Sequence, residues 1–214
     1  MMTRFCVPLL IVLGVLVGLS LHTVVNCGDA DDPDVCSAVI GFSPFRGSLI
    51  ALAYEGRGRI ALRHNDYKRA IADFDEAIRL NPNRASFFRD RGLAHRQNGE
   101  LELAIADYDQ AIALDPTAAS AYHNRGLALA ARGDLDRAVL SYNTAIRLAP
   151  DDAEARVNRG LALLVRGLTD EARADFEAAL ALPGGPDSPA HQLARTKLGE
   201  LGAPRPTHIS APLR

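Results

Sequence analysis

The stretch YHNRGLALAARGDLDRAVLSYNTAIRLAP, Tyr122–Pro150, decides the fold, because much of it recurs on either side. Upstream, Phe87–Pro116 reads FFRDRGLAHRQNGELELAIADYDQAIALDP. Downstream, Arg156–Leu182 reads RVNRGLALLVRGLTDEARADFEAALAL. Pro82, Pro116 and Pro150 stand 34 residues apart. The same step separates Gly58, Gly92, Gly126 and Gly160, and also Arg57, Arg91, Arg125 and Arg159. Ala70, Ala104, Ala138 and Ala172 form a column, as do Phe74, Tyr108, Tyr142 and Phe176, and Ala77, Ala111, Ala145 and Ala179. Columns on one such period are the signature of a solenoid of stacked helix pairs.

One unit shows why these residues recur. Tyr122, Gly126 and Leu129 fall at i, i+4 and i+7, on one face of a first helix. Ala138, Tyr142 and Ala145 fall likewise on a second. Gly126 and Ala138 are small, so the helices approach closely and Tyr142 fills the remaining space. Between them, Gly133 supplies a left-handed stop and Asp134 is the expected cap of the next helix. Gly99 and Gly167 repeat the stop, with Asn65 in their place in the first unit. Each Pro ends a second helix. Asn83, Thr117 and Asp151, one residue further on, are the expected caps of the next first helices.

These columns resemble the tetratricopeptide repeat, a two-helix unit. The resemblance covers about Leu49–Leu182. It implies an all-α fold: a right-handed α-solenoid of about four helix-turn-helix units with a C-terminal capping helix. The expected units are 48–84, 85–118, 119–152 and 153–186, followed by a cap over 187–202 and a disordered tail over 203–214. Leu193, Leu198 and Leu201 are the expected apolar face of the cap. The chain departs from the family pattern in placing Arg before each helix Gly. In the last unit Arg156 replaces the aromatic and Pro183 comes one position early. Asp73, Asp107 and Asp175 follow Arg57, Arg91 and Arg159 by 16 residues, with Ser141 in that place after Arg125. A structural Arg–Asp pair in each unit accounts for both columns; four ligand-binding cations are the competing reading.

The resemblance implies a concave groove lined by first helices, which binds protein or peptide segments. Helix phase assigns Glu55, Arg59, Leu62 and Arg63 to it, then Arg89, Asp90, Leu93, Arg96 and Gln97. His123, Asn124, Leu127 and Ala130 follow, and then Val157, Asn158, Leu161 and Leu164. The binding set singled out is Arg59, Arg63, Arg89, Leu93, Arg96, His123, Asn124, Leu127, Asn158 and Leu161. Cations suit carboxylates, the two Asn suit a ligand backbone, and Leu suits an apolar anchor, so the expected partner carries acidic and apolar residues. The carboxylate clamp that some family members use for chaperone tails is not matched. Its positions read Glu55, Arg59, Asp90, Ser120 and Asn124, or in the next frame Arg89, Leu93, Asn124, Glu154 and Asn158.

The N-terminus reads differently. One Arg precedes a wholly apolar run, Phe5–Val17, and then the small residues Gly18 and Ser20. This is the layout of a signal peptide over 1–20, and residues 5–25 as an uncleaved inner-membrane anchor are the alternative. Both place the rest of the chain in the periplasm or outside the cell. Residues 21–47 read as a linker containing NCGDADDPDVC, where Cys27 and Cys36 are the expected disulfide. Free thiols, a metal site and lipidation at Cys27 are the alternatives, and no His or further Cys stands near to complete a metal set. The following CSAVI, Cys36–Ile40, resembles exported bacterial repeat proteins with such a loop.

A net charge of −2 gives no reason to expect nucleic acid, and membrane contact is expected only through the leader. Nucleophile elbows, zinc-protease helices and phosphate loops are absent from the sequence. No catalytic residue, cofactor or metal is therefore expected. The expected function is an exported scaffold binding a partner segment in its groove. A structural subunit of an envelope complex, contacting partners by its convex face, and an enzyme accessory subunit are the alternatives.

Overall fold

The computed structural model describes residues 32–41, 47–183 and 188–202. The expected leader, Cys27, residues 184–187 and the expected tail at 203–214 lie outside the described residues. Among the described residues there are ten helices and no strand. None of these helices is long and apolar enough to cross a membrane. The helices belong to two compact units divided after Pro116.

In the first unit, α1 (Pro33–Gly41) is followed by α2 (Gly47–Arg63), α3 (Tyr67–Leu80), α4 (Ala85–Gln97) and α5 (Leu101–Leu114). α2 packs on α3 and α4 on α5, and α3 packs against α4. α1 lies in the segment expected to be a linker. It seats Cys36 and Val39 against Ala53 and Ile60 of α2. In the second unit, α6 (Ala119–Arg132) pairs with α7 (Leu135–Leu148), and α8 (Ala153–Val165) with α9 (Thr169–Leu180). α10 (Pro189–Gly202) packs on α9 and α8.

Small residues and rings set the helix spacing. Phe74, Tyr108, Tyr142 and Phe176 are all buried to within 1% of full burial. Each ring lies where a β-carbon on the opposing glycine would stand. That atom would come within 2.8 Å of the ring at Gly58, Gly92 and Gly160 and within 2.5 Å at Gly126. A ring buried to this degree stabilises by about 1.5–3 kcal/mol through removal of apolar surface.

The turns follow the expected stops. Gly99, Gly133 and Gly167 take φ of +83°, +88° and +80°, and Asn65 takes +59°. The caps differ from expectation. First helices begin one residue later than Asn83, Thr117 and Asp151 suggest, after Arg84, Ala118 and Asp152. Of these three, only Asp152 caps through its side chain, accepting from the Ala155 amide at 2.9 Å. Asp134 stands at the cap position of α7 without a capping bond. Its carboxylate instead accepts from Arg132 at 2.9 Å and Arg137 at 3.4 Å.

The Arg column is structural in the way its spacing suggests. Arg57, Arg91 and Arg159 each donate Nε and Nη2 to the carboxylate 16 residues on, Asp73, Asp107 and Asp175, at 2.5–2.9 Å. Arg125 donates to Ser141 at 3.1 Å. The third guanidinium nitrogen reaches backward: Arg91 Nη1 meets Asp75 at 2.6 Å, and Arg159 Nη1 meets Asn143 at 2.7 Å. No repeat precedes Arg57 among the described residues, and its Nη1 instead donates to Ser37 of α1 at 3.2 Å. Tyr54, Phe88 and Tyr122 lie under Arg57, Arg91 and Arg125 at 5.4–5.6 Å. The aromatic missing at Arg156 is the fourth member of that series.

The last unit is shorter. α9 has 12 residues where α3, α5 and α7 have 14. α10 covers it with Ala190, Ala194, Leu198 and Leu201, packed on the cluster of Phe176 and Ala179. Leu193, expected on that face, is 37% exposed, and the buried neighbour is His191, whose Nε2 meets the Leu182 carbonyl at 3.1 Å.

Candidate functional site

The expected binding residues fall into two sets, one in each unit. In the first, α2 and α4 bring Arg59, Arg63, Arg89, Leu93 and Arg96 to neighbouring positions. Glu55 and Asp90 were expected to face a ligand. They are instead only 5% exposed, and guanidiniums cover them. Arg59 donates to Asp90 at 2.6 Å and to Glu55 at 2.9 Å. Arg89 donates Nε and Nη2 to the other Asp90 oxygen at 2.9 and 2.8 Å. Burying two carboxylates is costly unless they are paired, which explains why these two cations turn inward.

Next to this network lies a hollow of about 250 Å³, lined by Leu62, Arg63, Asn65, Tyr67, Leu93 and Gln97. Asn65 and Tyr67 come from the turn and the start of α3. Reading helix phase alone missed them, because a first-helix pattern carries no information about the turn beneath it. The pair is held locally by a bond from the Tyr67 hydroxyl to Asn65 Oδ1 at 2.8 Å.

In the second unit, His123 of α6 stands between Asp152, the cap of α8, and Asn158 of α8. Its Nε2 lies 2.9 Å from Asn158 Nδ2 and its Nδ1 lies 3.4 Å from Asp152. Its ring meets Tyr142 edge-on at 6.0 Å. The hydrogen bond to His123 holds the Asp152 carboxyl below the usual carboxylate range, with the Ala155 amide helping. Asn158 is thus engaged by His123 rather than held free for a ligand backbone. Val157 is 2% exposed and belongs to the core. Asn124, Leu127 and Leu161 are half-buried, and Leu161 packs against the Phe176 cluster. A second hollow of about 200 Å³ lies between α8 and α10, lined by Glu154, Val157, Asn158, Pro189, Ala190 and Leu193. The α10 residues were absent from the expected set because the cap was read only as a cover.

Among the described residues no group of three His, Cys, Asp or Glu is placed to hold a metal. The first hollow sets the cation Arg63 beside apolar walls, and the second sets the carboxylate Glu154 there.

The tetratricopeptide repeat model matches residues 55–119 and 123–189. The chain belongs to the tetratricopeptide repeat family. Comparison with curated proteins gave no match. Among solved structures, this repeat protein is similar to MamA, with 26% identity over 70% of this chain and 85% of that one and a TM-score of 0.64. It is similar in fold to YrrB, a TPR protein with an unusual peptide-binding site, with 23% identity over 82% and 85% of the chains and a TM-score of 0.64. It is also similar in fold to the first TPR of Spaghetti (RPAP3) bound to an HSP90 peptide, with 23% identity over 56% and 95% and a TM-score of 0.55.

Proposed function

We propose that this repeat protein is an exported scaffold that holds a segment of a partner protein against its first helices and performs no catalysis itself. The observation that carries the reading is the unit 1 face, where exposed Arg63 lines a hollow together with Leu62, Tyr67 and Leu93. YrrB and the RPAP3 repeat, which share the fold, are peptide binders by description, and that supports the same use here. The expected domain limits, from 48–84 through 187–202, are proposed with it, amended by the helix at Pro33–Gly41.

Export rests on the leader pattern at 1–20, with anchoring through residues 5–25 as its alternative. A Cys27–Cys36 disulfide belongs to the same reading. Cys36 is fully buried and disulfide-bonded, which supports the pairing. Alkylation of the purified chain before and after reduction tests the pairing. Two cysteines that react without reductant would overturn it.

A second reading has one observation in its favour. Leu103 of α5 and Leu140 of α7, both on second helices, are 53% and 63% exposed. They suit contacts made by the second helices of each unit. An affinity pull-down from envelope extract distinguishes the two. A partner lost with Leu93→Asp/Arg96→Glu and kept with Leu103→Asp/Leu140→Asp supports the first-helix face. The reverse pattern moves the contact to the second helices.

A further inference from the structure

The hollow of about 200 Å³ between α8 and α10 has a one-sided wall. Val157, Pro189, Ala190 and Leu193 make it apolar, and Leu193 is 37% exposed. Its two polar members differ. Asn158 is bonded to His123, whereas Glu154 is exposed and makes no ion pair among the described residues. The neighbouring Asp152 is already taken by His123 and the Ala155 amide. One unbalanced carboxylate therefore stands beside an apolar floor. A large apolar residue next to an Arg is the chemistry that complements it.

The chain carries that pair itself. Residues 203–214 read APRPTHISAPLR, with two Arg, no Asp or Glu, and Leu213 directly before Arg214. The segment follows Gly202, the last residue of α10. The start of α10 lines the hollow, while its other end is tied to α9, where Arg173 donates to the Leu201 carbonyl at 3.3 Å. A return to the hollow must span α10, whose 14 residues are about 21 Å long. From Ala203 to Leu213 the chain reaches about 34 Å as polyproline II, the form that Pro204, Pro206 and Pro212 favour. That covers the helix and leaves length for a reversal. A tethered segment also meets its site at an effective concentration on the order of millimolar, which suffices for a contact made by two side chains.

We propose that residues 203–214 fold back over unit 2, with Leu213 in the hollow and Arg214 against Glu154, in place of the disorder expected from their composition. The hollow is then covered by the chain's own segment, and any partner for that face has to displace it. The inference concerns unit 2 alone and does not depend on the unit 1 reading.

NMR of the full chain with Ile, Leu and Val methyl groups labelled tests this. Nuclear Overhauser contacts are expected from the Leu213 methyls to those of Val157 and Leu193. Arg214→Glu and Glu154→Arg are each expected to abolish them, and Glu154→Arg/Arg214→Glu is expected to restore them. Unchanged Leu62 and Leu93 methyl signals in unit 1 and Phe176 ring signals in unit 2 show that each variant is folded. Leu213 methyl signals at the positions of a free 203–214 peptide, without those contacts, would overturn the inference. Contacts that vanish on dilution would also overturn it, by giving the hollow to the segment of a second copy. Contacts made by Ile209 instead would overturn the choice of Leu213, and contacts indifferent to both charge reversals would remove Glu154 from the site.

Discussion

Arg91 and Asp107 meet in a two-bond pair at 2.9 and 2.6 Å, and the same Arg91 reaches Asp75 of the preceding second helix at 2.6 Å. One side chain thus ties its own helix pair shut and joins it to the pair before. Asp107 is 7% exposed at its side chain, so it cannot be replaced by water without loss. Asp107→Ala is expected to destabilise by about 3 kcal/mol, as removal of one partner from a buried pair does. Urea melting of the full chain measures it, and a cost under about 1 kcal/mol would reduce the pair to an ordinary surface contact.

The third repeat makes a converse prediction. Ser141 occupies the place of those aspartates and is 1% exposed under Arg125. Ser141→Asp installs the carboxylate that the other three units carry. It is expected to raise stability by about 1 kcal/mol, read as a higher urea midpoint with unchanged slope. A lower midpoint would mean that the third unit is built around the serine.

Gly126 and Tyr142 are matched in size. A β-carbon at Gly126 would stand 2.5 Å from the Tyr142 ring, closer than any relaxed contact. Gly126→Ala is expected to cost about 1–3 kcal/mol by overpacking. Combined with Tyr142→Leu, the alanine is expected to cost much less, and a double-mutant cycle measures that coupling. Strictly additive costs would show that the two residues do not share the space.

Asp152 makes stability depend on pH in a definite direction. Its carboxyl titrates below the usual range in the folded chain, chiefly through the hydrogen bond with His123. A folded value under the unfolded one means that the ionised form favours folding. Its contribution is complete above the ordinary carboxylate range and disappears as pH falls through the lowered value. Thermal melts of wild type and Asp152→Asn between about pH 6 and pH 3 are expected to converge toward the acid end. Parallel curves would separate Asp152 from acid sensitivity.

The periodic residues were the most legible part of the chain. The Gly, aromatic and Ala columns predicted the helix pairs because close packing of two helices demands a small residue opposite a large one at each repeat. The Arg–Asp offset of 16 was readable for the same reason, since both ends recur. Features that occur once were hidden. The helix at Pro33–Gly41 lies outside the period, in a segment whose Pro and Asp residues read as loop. Glu55 and Asp90 were assigned outward by helix phase, which gives the direction of a side chain but not the cation that folds over it. His123 and Asn158 looked like two independent ligand groups, because residues 35 apart in sequence reveal a mutual bond only once α6 and α8 are packed. Tyr67 and the α10 residues of the second hollow came from turns and a cap, where no repeating column marks them.

The short helix α1 has a consequence for how such a chain can change length. Ser37 gives Arg57 the acceptor that a preceding second helix supplies to Arg91 and Arg159, and Cys36 and Val39 cover the flank of α2 that such a helix would cover. At the other end α10 lies over the flank of α9. Among the described residues, the flanks on which a repeat added outside either helix would stack are already covered. A 34-residue block duplicated inside one unit, between Gly47 and Leu114 or between Ala119 and Leu180, would find both of its neighbours waiting. Lengthening of this lineage is therefore expected by duplication of interior units, with both terminal helices carried along unchanged.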